Sequence, residues 1–212
     1  DFYVVKNFNQ IKNAFLKFGY QNKPVCIKPS ISNVRRGIRV IDNKINEFDL
    51  LFNHKPNSLF MTYNKLIDIL SENNFPELLA SEYLPGEEYT IDSIVNNSKP
   101  EIIIPRKRSK MNGGISVAGE FEDNKEIISY CHEILTSLKL SGPIGLQVKK
   151  SNDGIFKILE INPRIQGTSI AAFGAGINLP LLSIYSTLGV NYKIPNMNWS
   201  TKFIRYYNEV FY

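Results

Sequence analysis

The dipeptide Asp153-Gly154 constrains this chain more than any other pair of residues. It lies inside the stretch Gly142 to Ser169, GPIGLQVKKSNDGIFKILEINPRIQGTS. An Asp-Gly pair between two alternating apolar runs predicts a β-hairpin, because a two-residue type I′ turn needs φ > 0 at both central positions. With those two residues as the loop, Asn152 pairs with Ile155. The same register sets Gln147 opposite Glu160, Gly145 opposite Asn162, Val148 opposite Leu159 and Leu146 opposite Ile161. Side chains alternate faces along a strand, so the aliphatic pairs face a core. The other face gathers one carboxylate, two amide oxygens and a glycine that leaves room above them. Hard oxygen ligands of this kind suit Mg²⁺ or Mn²⁺, which take few carboxylates and share their shell with water and phosphate. Arg164, two residues past Asn162, offers a fork for phosphate. A solvated strand also alternates polar residues. The order Glu-Ile-Asn-Pro-Arg, followed by a Gly-Thr-Ser loop, favours a site.

Composition narrows the setting. The 212 residues are 43% hydrophobic and 21% charged, ordinary values for a globular chain of one domain or two lobes. A net charge of +5 is too small to argue for nucleic acid by itself. No apolar run is long enough to span a membrane, and no signal peptide is visible. Cys26 and Cys131 lack CxxC spacing, which fits a reduced, cytoplasmic setting. With two histidines in the chain, no Ser-His-Asp or Cys-His set emerges, so hydrolysis by an activated nucleophile is disfavoured.

Along the chain, Asn7 with Gln10 three residues later predicts a capped helix over residues 8–18, ending at Gly19. Pro24 to Pro29 reads as a short buried strand whose Lys28 either meets an anion or snorkels to water. Residues 30–40 form a polar loop able to close over phosphates before a second strand. Short helices follow near 48–52 and 62–70. A strand to Leu84, a Pro-Gly turn and a second strand follow. Glu88, Thr90 and Asp92 share a face of that second strand, either as an exposed acidic edge or as part of a site. A strand from Glu101 to Pro105 ends in the basic cluster Arg106 to Lys110, and Met111 to Ser116 reads as a mobile loop. That cluster is a solvated patch, a nucleic-acid contact or the wall of an anionic site; the neighbouring Gly113-Gly114 favours the wall. Lys125 to Leu140 reads as a helix, Ile170 to Leu188 as a helix broken near Gly174 to Pro180, and Lys202 to Tyr212 as a final strand.

Four segments in order carry a family resemblance: Lys28-Pro29 with its loop, EYLPGEEYTID at 82–92, Gln147, and LEINPRIQGTS at 159–169. They resemble ATP-grasp enzymes, in the branch that looks like the large subunit of carbamoyl phosphate synthase. The resemblance implies an α+β fold in which two lobes, 1–79 and 80–212, with mainly antiparallel sheets grip ATP. It implies that Glu160 and Asn162, with Gln147, bind the Mg²⁺ (or Mn²⁺) that bridges the ATP phosphates, and that Arg164 contacts transferring phosphate or substrate. It assigns Lys28 to an ATP phosphate and Ser30 and Ser32 to a lid. The backbone of Glu82, Tyr83 and Leu84 would read the adenine edge, Glu88 the ribose hydroxyls, and Arg106 and Arg108 would lie near the acceptor pocket. The implied activity is an ATP-dependent ligase that activates a carboxylate as an acylphosphate for attack by an amine or similar nucleophile. Its expected partners are small carboxylates and amines, with no nucleic acid and no membrane, and a homodimer is the assembly considered. With 27 residues before Lys28, the Rossmann-like N-terminal domain of such enzymes is expected to be absent from this sequence. The alternative is a nucleotide-binding module that regulates or scaffolds without turnover.

Overall fold

The computed structural model describes residues 1–32, 36–55 and 58–212. The centre of the expected lid, residues 33–35, lies outside them. The described chain forms two compact units, Asp1–Tyr83 and Leu84–Tyr212. The division falls after Tyr83 rather than after residue 79, because the strand at Leu78–Glu82 hydrogen-bonds into the first unit's sheet.

In the first unit the order is β1 (Phe2–Val5), α1 (Phe8–Lys17), β2 (Val25–Pro29), β3 (Arg39–Ile41), α2 (Glu47–Phe52), β4 (Phe60–Met61), α3 (Tyr63–Ser71) and β5 (Leu78–Glu82). The sheet runs β1-β5-β2-β3-β4, antiparallel except for the β3–β4 pair. Asn7 Oδ1 accepts from Gln10 N at 2.9 Å, the expected cap. Gln10 Oε1 reaches one residue further back than a capping box requires, accepting from Lys6 N at 2.7 Å. Gly19, at φ +70°, ends the helix as expected. Ile11 and Phe15 of α1 and Leu66 and Leu70 of α3 bury against Val25, Ile27 and Ala80.

The second unit contains β6 (Glu88–Asn96), β7 (Lys99–Asn112), β8 (Ile115–Phe121), α4 (Lys125–Ser137), β9 (Gly142–Lys150), β10 (Phe156–Asn162), α5 (Ile170–Gly174), α6 (Leu179–Leu188) and β11 (Lys202–Ile204). Its sheet runs β10-β9-β6-β7-β8-β11 with antiparallel neighbours. Ile127, Cys131 and Leu135 of α4 pack on one face, against Tyr89, Ile91, Leu146 and Val148. Ala172, Leu179 and Leu182 of α5 and α6 pack against Ile94, Ile102 and Ile104 on the other. Ile94 shares its face with Asp92, Thr90 and Glu88 by alternation. That second face is therefore covered by helix at one end and polar at the other.

Three expectations change here. The basic cluster and the supposed loop Met111 to Ser116 belong to a long hairpin: β7 continues through Arg106 to Asn112, and Gly113-Gly114, at φ +56° and +87°, form its tight turn into β8. The final strand is confined to Lys202–Ile204, paired with β8. The 150–156 turn is not the two-residue type. Of Asp153 and Gly154, Gly154 alone has positive φ, at +79°. Ser151 N donates to Ile155 O at 2.8 Å, so Asn152, Asp153 and Gly154 form a three-residue loop. This slides the register by one, so that Val148 faces Ile158 and not Leu159. A β-bulge at Leu159 then slides it back, and Glu160↔Gln147, Ile161↔Leu146 and Asn162↔Gly145 stand as the sequence predicts.

Candidate functional site

The polar end of the second unit's sheet is built in rows. Glu160, Gln147, Thr90 and Arg106 lie side by side on β10, β9, β6 and β7. The next row holds Asn162, Gly145 and Asp92. On the other side Lys157, Lys149 and Glu88 follow in line, with Arg108 bonded to Glu88. Period-two alternation on β6, β7 and β9, with the Leu159 bulge on β10, thus brings these residues onto one surface.

Asn162 Nδ2 lies 2.6 Å from Glu160 Oε1, so the two side chains converge on one point. Glu160 is exposed, and Asn162 and Gln147 are half-buried. One carboxylate flanked by amides and open to water fits Mg²⁺ shared with phosphate better than an all-protein cage. Among the described residues no group of three His, Cys, Asp or Glu forms a metal cluster. The amides therefore have to complete any such shell. Arg164 is exposed, and its Nη1 donates to Ile165 O at 3.1 Å.

Glu88 is buried, with one oxygen taken by Arg108 and Oε2 3.8 Å from Lys149 Nζ, without a hydrogen-bond partner. Arg108 also donates to Ser116 Oγ at 2.9 Å and to Gly114 O, tying the β7–β8 hairpin to Glu88. Arg106 was expected beside an acceptor pocket. It is fully buried, ion-paired to Asp92 at 3.1 Å and bonded to Thr168 Oγ1 at 2.6 Å. Asp92, Gln166, Thr168 and Ser169 received no role from sequence. Asp92's place beside Glu88 and Thr90 and the Gly-Thr-Ser run were the signals available.

The remaining expected residues belong to the first unit or its border. Lys28 lies on β2 opposite Leu79, half-buried. Ser30 N donates to Glu77 O at 3.1 Å, and Ser32 Oγ to Arg36 O at 2.7 Å. Glu82 ends β5 opposite Val25. Burial pushes the Tyr83 phenol above its ordinary value, and Tyr83 stacks edgewise on Phe60. Leu84, which is buried, opens the second unit.

Residues 74–208 match the family model described as ATP-grasp in the biosynthetic pathway with Ter operon. No curated protein matches the sequence. Among solved structures, an ADP complex of N5-carboxyaminoimidazole ribonucleotide synthetase shares the fold at TM-score 0.68 and 14% identity, over 95% of this chain and 50% of that one. The biotin carboxylase domain of Hydrogenobacter thermophilus 2-oxoglutarate carboxylase, a dimer with MgADP and bicarbonate, matches at TM-score 0.62 and 17% identity, over 94% and 44%. The ATP-grasp ligase PsnB, complexed with precursor peptide PsnA2 and AMPPNP, matches at TM-score 0.57 and 16% identity, over 90% and 52%. The chain spans about half the length of these structures. With more than half its residues matched and its two antiparallel-sheet units in place, the chain belongs to the ATP-grasp family, in the group described as acting in a biosynthetic pathway with the Ter operon.

Proposed function

We propose that this chain is the nucleotide-binding part of an Mg-dependent ligase that uses ATP to activate a carboxylate for capture by an amine or similar nucleophile. The observation that carries the reading is the convergence of Glu160 and Asn162 beside Gln147 on an open, polar sheet end. Glu160 and Asn162, with Gln147, would hold Mg²⁺, which neutralises phosphate charge and orients the nucleotide. Arg164 would place its guanidinium on the transferring phosphoryl group, and Lys28 would bind a phosphate from the first unit. Glu88, bonded to Arg108, would accept from the ribose hydroxyls, which requires its buried second oxygen to be uncovered. Phosphoryl transfer asks for positioning and electrostatics rather than a covalent enzyme residue, and the site offers those two things. The ADP, MgADP and AMPPNP complexes among the similar structures support the nucleotide. The other molecules bound in those complexes differ, from bicarbonate to a precursor peptide, so the acid and the nucleophile are to be found by screening.

Calorimetry of ATP with Mg²⁺ and with EDTA tests the reading. Mg²⁺ should raise affinity, and Glu160→Ala should remove at least about tenfold of that gain. Equal Mg·ATP binding by Glu160→Ala and the parent would sink the metal assignment. ADP release that requires both a carboxylate and an amine would identify turnover; binding without release under any pair would favour the non-catalytic module.

A further inference from the structure

Asp92 and Arg106 form an ion pair inside the second unit, with side chains 3% and 0% exposed. Removing two charges from water costs several kcal/mol each, and an apolar pair of the same shape is often as stable or more so. Stability therefore does not explain the pair. Its hydrogen bonds do. Arg106 Nη1 donates to Thr168 Oγ1 at 2.6 Å, and Ser169 Oγ donates to Asp92 Oδ1. Ser169 Oγ accepts from Gln166 N at 3.2 Å, which closes the turn on itself. Gln166 Nε2 reaches Ile91 O at 3.0 Å and Leu146 O at 3.4 Å. Its side chain lies across Gly145, where a Cβ would overlap Cγ and Cδ. Three strands, β6, β7 and β9, thus grip one short segment. That segment follows directly on Glu160 and Asn162 and carries Arg164. Arg164 N donates to Asn162 O at 2.7 Å, so the strand end and the turn are continuous. Arg164 and Asp92 also line one cavity of about 10 Å³.

We infer that Asp92 and Arg106 are positioning residues: their buried pair holds the 163–169 turn in one arrangement and so aims Arg164 and the Asn162 end of β10. The binding readout below rests on the nucleotide-site reading, and the exchange readout does not.

The test uses the whole chain carrying Asp92→Asn, and separately Thr168→Val against Thr168→Ser. Asp92→Asn should speed amide exchange across 164–169 at least about tenfold, with α4 and β6 protection kept. It should also cut ATP affinity in the presence of Mg²⁺ about tenfold. Thr168→Val should shift both readouts the same way, and Thr168→Ser, which keeps the hydroxyl, should restore them. Exchange in 164–169 that stays at the parent rate in both Asp92→Asn and Thr168→Val overturns the inference. If Asp92→Asn does not fold, Asp92→Leu with Arg106→Met removes both buried charges, and the same loosening is expected. An unmoved turn in that double variant overturns the inference too. Parent protein whose ATP affinity ignores Mg²⁺ would refute the metal-site reading alone, because the exchange result stands without it.

Discussion

Glu101 and Cys131 show how burial and hydrogen bonding set single residues in the second unit. Glu101 accepts from Tyr192 Oη, from Ser186 Oγ at 3.0 Å and from Asn96 Nδ2 at 3.2 Å. The Tyr192 hydrogen bond is the largest of the effects that hold its carboxyl below the ordinary glutamate value of 4.5. A carboxylate with a depressed folded pKa stabilises above its unfolded value, and that contribution is lost as pH falls through the folded one. Glu101→Gln should therefore melt earlier than the parent at pH 7, and the gap should close as the pH drops below 4.5. Melting curves across pH check this; a gap independent of pH would mean that the charge is irrelevant. Cys131 is fully buried on α4, and burial pushes its thiol up to about 12. A thiolate is the reactive form, so Cys131 should resist a thiol reagent at pH 8 until the chain is unfolded. Mass mapping of labelled peptides reads the result, and rapid native labelling of Cys131 would contradict the packing of α4. The burial of Cys131 was legible in the helical periodicity of residues 125–140. The grip on Glu101 was not, since Tyr192 and Ser186 reach it from far along the chain.

At the level of the element, the β9–β10 hairpin carries the proposed metal site, and glycines decide its geometry. Gly154, at φ +79°, holds a conformation that costs an L side chain about 1–2 kcal/mol. Gly154→Ala should lower the melting temperature without altering Mg-dependent nucleotide affinity, because the bulge at Leu159 sets the site's register downstream of the turn. Loss of both together would show that the turn, not the bulge, controls register. Gly145→Ala pushes a Cβ into Gln166, and overpacking of this kind costs about 1–3 kcal/mol. Gln166→Ala opens that space, so the double variant should be less destabilised than the sum of the singles, by about 0.5–3 kcal/mol in a denaturation cycle. Simple additivity would mean that the two residues do not meet. The pairing Gln147–Glu160 was readable because two one-residue slips, a three-residue loop and a bulge, cancel. Neither slip was visible in the residue types, since Asp-Gly serves two-residue and three-residue turns alike and a bulge at Leu159 leaves no polar mark.

At the scale of the molecule, separate cores divide the chain. Ile11 belongs to a cluster made of first-unit residues alone, and the two other clusters lie in the second unit. Ile11→Ala should cost the first unit about 2–5 kcal/mol. Hydrogen exchange should then rise across residues 1–83, while amides of β6, β9 and α4 keep their protection. Uniform loss of protection would show that the two units unfold as one. What the sequence determined by itself was whatever depends on neighbours along the chain: helix α1 with its Asn7 cap, the β9–β10 hairpin, and the Glu160-Asn162-Arg164 order that marks the family. Alternation with period two needs no tertiary information to put Glu88, Thr90 and Asp92 on one face. What that face does with them follows from contacts between distant segments. In sequence Arg106 reads as part of a basic run walling an anionic site, yet strand pairing carries it under the 163–169 turn to Asp92. A charge stays in the interior when partners pair with it, and here Thr168 and Ser169 come from a distant segment that no local pattern announces.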